Sequence, residues 1–275
     1  MIQEIGIVDS KKVISIIKEK YNFDYANYAP TAFKRRLIRY INNNNFNTIK
    51  DFIIRLEDDE RIYEQLYDDV LVEETEMFRD PSLWRELREK FLPELIGNRD
   101  LKIWIAGAVS GDEVFTLAIV LFEMGLLNNV KLIVSVPSDK RIEQIQNGGG
   151  YDLKKMEISE ANYLRFFGKF SFSNYYKIQN NKAVLNDDLL KNIEFKKHNI
   201  FTEEVFSTFK LVFCRNQLIY CNSNLHDNLA NKLYESLMPG GYLVIGSKET
   251  LEGFSVEKKL NLVNEAEKIY KRRLN

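Results

Sequence analysis

The run from Leu101 to Glu113, LKIWIAGAVSGDE, carries the first decision about the fold. Leu101–Ala106 is a short stretch, apolar except for Lys102, which suits a buried strand. Gly107 and Gly111 break the run, and Glu113–Met124 then reads as a helix. Glycines at a strand-to-helix turn let a ligand approach the backbone, and the helix start adds a local positive field. The spacing is not G-x-G-x-x-G, which disfavours a dinucleotide. Taken alone, the stretch is either a ligand-binding turn or a tight connection whose acidic residues favour the helix start.

Downstream, the alternation of strand and helix continues. Val130–Val136 reads as a strand and Ser138–Gln146 as a helix. Phe209–Cys214 and Tyr242–Ile245 read as strands, with a helix over Leu225–Leu237 between them. This order predicts a largely parallel sheet with right-handed crossovers. Lys259–Val263 and Glu267–Lys271 read as two further strands around a turn at Asn264. Within Asn162–Lys197, the aromatic Phe170–Ile178 and then Ala183–Leu185 flank Asn180-Asn181. That pattern predicts a small inserted hairpin, about residues 168–186.

Upstream, the period changes to that of helices. Asp9 and Ser10 are expected to cap Val13–Ile17, and Thr31 opens a run through Phe33, Leu37 and Ile41. Thr48 opens another through Ile49, Phe52, Ile53 and Leu56, and Ile62, Leu66, Val70 and Leu71 mark one more. Asn42–Asn45 is the loop between the second and third runs. Pro81 suits the first turn of a helix whose apolar face is Leu83, Trp84, Leu87 and Phe91, and the α/β alternation is expected after Pro93. The expected organisation is a helical domain at residues 1–74 and an α/β domain at 75–275.

The bulk properties exclude several classes. The net charge is −1 over 275 residues, so the chain as a whole is not an electrostatic nucleic-acid binder. Its two cysteines, Cys214 and Cys221, form no C-x-x-C pair, which argues against a disulfide framework or a zinc site and fits a reducing cytoplasm. The two histidines, His198 and His226, are far apart, leaving little for a histidine-based metal site or triad. No apolar run approaches the roughly 20 residues that span a bilayer, and MIQEIGIVDSKK lacks a signal peptide's order. The expectation is a cytoplasmic protein with no metal, no nucleic-acid partner and no membrane embedding.

Three more motifs join the glycine turn. Glu74–Pro81 contains Thr75-x-x-Phe78-Arg79-Asp80, which alone is a linker ahead of a proline-started helix or a ligand segment. Phe213-Cys214-Arg215-Asn216-Gln217-Leu218-Ile219-Tyr220 follows a strand, where open α/β sheets place their ligands. It is either polar lining for that crevice or a capped helix beside a partly buried tyrosine. Pro239-Gly240-Gly241-Tyr242-Leu243 leads to Ile245-Gly246-Ser247.

In this order the series closely resembles the CheR family of chemotaxis receptor methyltransferases. The resemblance extends to Phe33-Lys34-Arg35-Arg36-Leu37, Lys248-Glu249-Thr250-Leu251 and Glu267-Lys268-Ile269-Tyr270, essentially the whole chain. It implies a SAM-dependent methyltransferase fold, Rossmann-like, with an N-terminal helical domain and a small inserted β-subdomain. It implies transfer of the SAM methyl to glutamate side chains of chemoreceptors. Thr75 and Arg79 match cofactor contacts, with the arginine near the reacting methyl. Gly107 belongs to the cofactor turn, and Glu113 matches the acid that holds the methionine ammonium. Asn199, with Ile200, matches an asparagine near the adenosine. Arg215 and Asn216 match the pair ending the fourth parallel strand, and Tyr220 matches the tyrosine beside the methyl. Arg79 and Tyr220 are thus the catalytic candidates. A glutamate carboxylate has a pKa near 4.3 and is already ionised at neutral pH, so no general base is required.

The resemblance also implies a partner. Lys34, Arg35, Arg36 and Arg39 are expected to form a basic helix face toward the acidic cytoplasmic region of a chemoreceptor, or else a solvated charged face. In some members the inserted hairpin takes a receptor's C-terminal peptide by strand addition.

Two departures favour an alternative. The second strand of this family ordinarily ends in an aspartate for the ribose hydroxyls, and the matched residue is Val136, followed by Pro137. Loss of such bonds costs about 1.5–3 kcal/mol each. Asp139 lies three residues on, in the expected first turn of a helix. Val109 is bulkier than the serine usual in the glycine turn. The alternative is a non-catalytic, partner-binding relative with weak or lost SAM binding.

Overall fold

The computed structural model describes residues 4–21, 25–27, 30–71, 75–96 and 101–274, apart from the side chains of residues 21, 27, 64, 67–71 and 220. The chain divides into two compact units. One comprises Met1–Glu73 with Leu218–Asn228, and the other Glu74–Gln217 with Leu229–Asn275.

The first unit holds α1 (Ile7–Tyr21), α2 (Pro30–Asn43), α3 (Ile49–Asp58) and α4 (Glu60–Leu71). Apolar residues three and four apart supply its core, including Val13, Ile17, Phe33, Leu37, Ile41, Phe52 and Leu56. Thr48 caps α3 as expected, its hydroxyl accepting from Asp51 N at 3.0 Å. Asp9 and Ser10, however, do not cap α1. The helix already begins at Ile7, and Ser10 N closes its first turn on Gly6 O at 3.0 Å. The basic cluster also needs correction, because Arg36 is only 6% exposed. Phe33, Arg36, Leu37 and Tyr40 follow helical spacing, so Arg36 falls on the inward stripe of α2. Arg35 and Arg39 are exposed, and Lys34 is half-buried.

The second unit begins with α5 (Pro81–Glu86), a π-helical turn at Leu87–Phe91 and α6 (Leu92–Ile96). Pro93 thus lies inside a helix instead of ending it. Proline has no N–H, and its ring crowds the carbonyl four residues back. The wider preceding turn, with Leu92 N donating to Leu87 O, accommodates it. This helical face packs on the sheet through Trp84 against Phe213, stacked at 5.7 Å, and Phe91 against Tyr242 at 5.1 Å.

The sheet comprises β1 (Lys102–Ile105), β2 (Lys131–Val136), β5 (Ile193–Lys197), β6 (Phe209–Cys214), β7 (Leu237–Ile245), β8 (Leu260–Asn264) and β9 (Ile269–Arg272). Between β2 and β5 lie β3 (Tyr176–Gln179) and β4 (Lys182–Leu185), a separate hairpin. The spatial order of the main sheet is β5-β2-β1-β6-β7-β9-β8, all parallel through β7, with β9 antiparallel to both neighbours. This is the Rossmann-like SAM-methyltransferase arrangement. The chain winds outward from β1 in one direction, then returns to β6 on its other side. The crevice beyond the carboxyl ends of β1 and β6 is therefore the topological switch point where ligands bind.

Several expectations shift in detail. The inserted hairpin is present, and Asn180 and Asn181 both have positive φ, at 48° and 60°, as a tight hairpin turn requires. Its first strand starts only at Tyr176, because Phe172–Tyr175 form a 3-10 turn. Strand β7 starts at Leu237, ahead of the expected Tyr242, with a register shift across Pro239-Gly240-Gly241. A Cβ on Gly241 would sit 2.9 Å from Met238 O, so that bulge needs glycine. Helix α7 (Asp112–Glu123) is buried nearly all round, whereas α8 (Asp139–Gln146) and α10 (Ser223–Glu235) show polar faces. Two elements were not expected from sequence, β5 and the helix α9 (Leu153–Phe166).

Candidate active site

The site is built where β1, β5, β6 and β7 end. After β1 the chain enters the glycine turn, and Gly107 adopts φ +71°. A Cβ there would meet the end of the Ile200 side chain at Cδ1, 2.8 Å away, so the positive φ is the firmer reason for glycine. Ser135 on β2 pins this turn, its hydroxyl accepting from Gly107 N and from the Trp104 indole, both at 3.0 Å. From the end of β6, Gln217 Nε2 donates to Gly107 O at 3.2 Å. Gly107, Ile200 and Gln217 are thereby brought together from three loops.

The far end of the turn is fastened by Tyr151, whose hydroxyl donates to Ser110 O at 2.6 Å. Asp112, 1% exposed, accepts from Ser110 Oγ at 2.5 Å and from Lys155 Nζ at 3.0 Å. Burial pushes the Asp112 pKa up to about 6 despite the opposing attraction of Lys155.

Glu113 and Arg215 face each other across the switch point. Arg215 Nη1 donates to Glu113 Oε1 at 3.0 Å, and Nη2 meets Asp80 Oδ2. The guanidinium carbon also lies over the Trp84 ring, 5.9 Å from its centroid. Burial raises the pKa of Glu113, and the charge of Arg215 opposes that rise. Glu113 is thus not a free acceptor here, as the sequence implied, but part of an acid–Arg215–acid cluster. Arg215 Nε is buried and has no hydrogen-bond partner among the described residues.

The Thr75–Pro81 segment approaches this cluster in a constrained backbone. Phe78 and Asp80 have positive φ, 55° and 56°, rare for residues with side chains. Phe78 is held by an aromatic nest of Tyr163, Phe166 and Phe172, and its N–H donates to Thr116 Oγ1 at 3.0 Å. Met77 N donates to Ser159 Oγ at 3.2 Å. Asp80 precedes α5 but makes no side-chain cap, having turned to Arg215. The Arg79 carbonyl accepts from the Trp84 indole at 2.9 Å, and the charge of its guanidinium favours the ionised form of Glu113.

The remaining sequence candidates are placed less centrally. Thr75 is half-buried, and no hydrogen bond joins it to the other candidates among the described residues. Asn199 Oδ1 accepts from Phe201 N at 3.0 Å, and its own N–H donates to Glu203 at 2.9 Å. Asn216 adopts φ 59°, and its N–H donates to Glu249 Oε2 at 3.0 Å. The side chain of Tyr220 lies outside the described residues. Asp80 and Glu249, which the sequence did not single out, also join these contacts, Asp80 on Arg215 and Glu249 on Asn216 N. Their signal was present only as acids inside matched motifs.

At the end of β2, Val136 is fully buried in the core, and its carbonyl accepts from His198 N at 2.9 Å. Asp139 is exposed at the start of α8 and paired with Lys197 Nζ at 2.9 Å. Among the described residues there is no cluster of metal-ligating side chains, and no helix is long and apolar enough to cross a membrane.

Comparison with known proteins matches both units. The family model described as "CheR methyltransferase, SAM binding domain" matches residues 73–269, and "CheR methyltransferase, all-alpha domain" matches 9–71. The Pseudomonas putida protein Cher3 is 30% identical over 96% of this chain and 97% of its own length. A chemotaxis protein methyltransferase of Borreliella burgdorferi is 29% identical, covering 88% of each chain. One from Listeria monocytogenes is 27% identical over 86% of this chain and 87% of its own.

Proposed function

The chain belongs to the CheR methyltransferase family, and from that membership we propose that it transfers the methyl group of SAM to glutamate side chains of chemoreceptor-like proteins. The observation that carries this reading is the Glu113–Arg215–Asp80 cluster beside the Gly107 turn. The amino-acid end of SAM needs an acceptor for its ammonium and donors for its carboxylate. Glu113 is the acceptor of right chemistry. Arg215 Nε, buried and without a hydrogen-bond partner among the described residues, is the donor proposed for the carboxylate. Gly107 leaves the close approach that a Cβ would block. The residues present therefore fit that end of the cofactor. Thr75, Asn199, Ile200 and Asn216 are proposed to complete the binding site.

SAM supplies an electrophilic methyl on a sulfonium. The substrate glutamate is ionised at neutral pH and needs no deprotonation. Arg79 orients the incoming carboxylate, and Tyr220 shapes the surroundings of the methyl. The rate enhancement is then chiefly one of positioning, with nucleophile and methyl held in line. The products are a glutamate methyl ester and S-adenosylhomocysteine, with no proton transferred. Residues 1–74 form the partner-docking domain and 75–275 the methyl-transfer domain. Lys34, Arg35 and Arg39 face the acidic receptor region, while Arg36 serves the packing of α2.

A second reading, a partner-binding module with weak or lost SAM binding, is favoured by Val136. Its burial leaves no acid at the end of β2 for the ribose. Calorimetric titration with SAM and S-adenosylhomocysteine separates the two. Micromolar binding followed by labelled-methyl transfer to receptor fragments supports the enzyme. No heat at millimolar ligand sinks it.

A further inference from the structure

After β7, the chain turns back through Gly246–Glu249, with Glu249 N donating to Gly246 O at 2.9 Å. The turn returns the Glu249 carboxylate to the sheet edge, where it is only 3% exposed. Its Oε2 accepts from Gly246 N at 2.6 Å and from Asn216 N at 3.0 Å. One oxygen thus ties together the carboxyl ends of two neighbouring parallel strands. Burying a carboxylate is costly unless charge-assisted bonds offset it, and these backbone bonds do so.

The bond to Asn216 fixes the peptide that follows Arg215. Asn216 is held in the left-handed region, φ 59°, an orientation that asparagine tolerates but does not prefer. With this peptide fixed, the Arg215 backbone has one orientation, and from it the guanidinium reaches both Glu113 and Asp80. Gly246 is the other half of the device. A Cβ there would lie 2.8 Å from Glu249 Oε2 and 3.0 Å from Asn216 N, in the path of the bond. Ser247, in the same turn, reaches Asp80 Oδ2 at 3.5 Å.

We propose that Glu249 is a positioning residue for cofactor binding, acting through the Asn216 peptide to set the Arg215–Glu113–Asp80 cluster. The inference rests on the reading of that cluster as the cofactor's amino-acid site. The two backbone bonds need an acceptor oxygen at this position. Glutamine retains such an oxygen, and alanine does not.

The test is titration of the purified full chain and its E249A, E249Q and G246A variants with S-adenosylhomocysteine, alongside thermal unfolding. E249A and G246A should bind at least about tenfold more weakly, as expected for loss of the acceptor, and E249Q, which keeps an acceptor oxygen but not its charge, should fall between them and the parent. Amide exchange at Asn216 should quicken in E249A and stay slow in E249Q. A merely structural residue would lower the unfolding temperature and leave the affinity of the folded fraction unchanged. Undiminished binding by E249A, or by G246A where E249A fails to fold, overturns the proposal alone. Absence of binding by the parent overturns it together with the reading of the site.

Discussion

Arg215 donates to Glu113 across 3.0 Å, joining the end of β6 to the start of α7, 102 residues away in sequence. The same guanidinium holds Asp80, so one buried cation serves two carboxylates. The acid matched to the ligand ammonium is therefore also a partner of Arg215, and in the proposed site the two cations share its carboxylate.

Removing the cation should therefore be costly. Arg215→Met leaves Glu113 and Asp80 near each other without compensation, and breaking such a buried pair costs about 3 kcal/mol. The raised pKa of Glu113 should rise further once Arg215's attraction is gone. The loss should be greatest near pH 8 and smaller at pH 5, because the Glu113 carboxyl, its pKa already raised by burial, takes up its proton as the pH falls. Urea unfolding at both pH values checks this. A loss independent of pH would assign Arg215's role to its packing on Trp84.

Asp112 gives a pH signature of its own. Its folded pKa, about 6, lies above the ordinary value of 3.8, so the folded chain binds this proton more tightly than the unfolded chain. Stability is then lost as pH rises through that interval, on the order of 3 kcal/mol by pH 7. Asp112→Asn removes the titration. The stability difference, variant minus parent, should climb between pH 4 and pH 7 and level off above. A flat difference would show that Lys155 fully compensates the buried charge.

Much of this architecture is legible in the sequence, for definite reasons. β1, β2 and β6 are apolar apart from Lys102, Lys131, Ser135 and Lys210 because helices cover both faces of a parallel sheet, and α7 is mostly apolar because it is buried nearly all round. β5 reads Ile-Glu-Phe-Lys-Lys because it is the sheet's edge, where charged residues are tolerated, and that hides it. Within the site, Gly107 and Glu113 announce themselves by their place after a strand. Asp80 and Glu249 do not. Each is an acid in a polar loop whose partner lies 135 and 33 residues away, and only the fold makes those pairs. Arg36 is the opposite case. The helical period of Phe33, Leu37 and Tyr40 places it inward, although its charge alone predicts an exposed face.

That placement yields a contrast within α2. Arg35→Ala and Arg39→Ala remove exposed side chains and should change stability by less than about 0.5 kcal/mol. They should weaken capture of an acidic receptor fragment, more so at low salt. Arg36→Ala removes buried contacts and should cost about 1–3 kcal/mol. Thermal unfolding of the three variants, with binding measured at two salt concentrations, tests the division. Equal stability losses would undo it.

Gly107 can be tested in two steps. Gly107→Ala must adopt φ +71° and push its Cβ against Ile200 Cδ1, 2.8 Å away. The backbone strain alone is about 1–2 kcal/mol. Ile200→Val deletes that Cδ1 and relieves only the contact. The double variant should recover part, not all, of the stability lost by Gly107→Ala. Cofactor affinity should follow the same order. Full recovery would mean the turn can relax its backbone, and glycine would then be needed only for space.

The last prediction concerns the ribose end. Supplying the missing acid by Val136→Asp would look like a repair, but Val136 is 0% exposed and belongs to the sheet core. A carboxylate placed there loses its hydration, and the cost is roughly 3 kcal/mol or more unless it stays protonated. Circular dichroism melting should show a clearly lowered unfolding temperature, and the SAM dissociation constant should not tighten beyond about threefold, since a buried neutral acid adds no charge-assisted bond. A tenfold tighter complex at unchanged unfolding temperature would mean that the end of β2 opens toward the ligand. In that case the valine itself, and not the surrounding packing, would set the cofactor affinity of this chain.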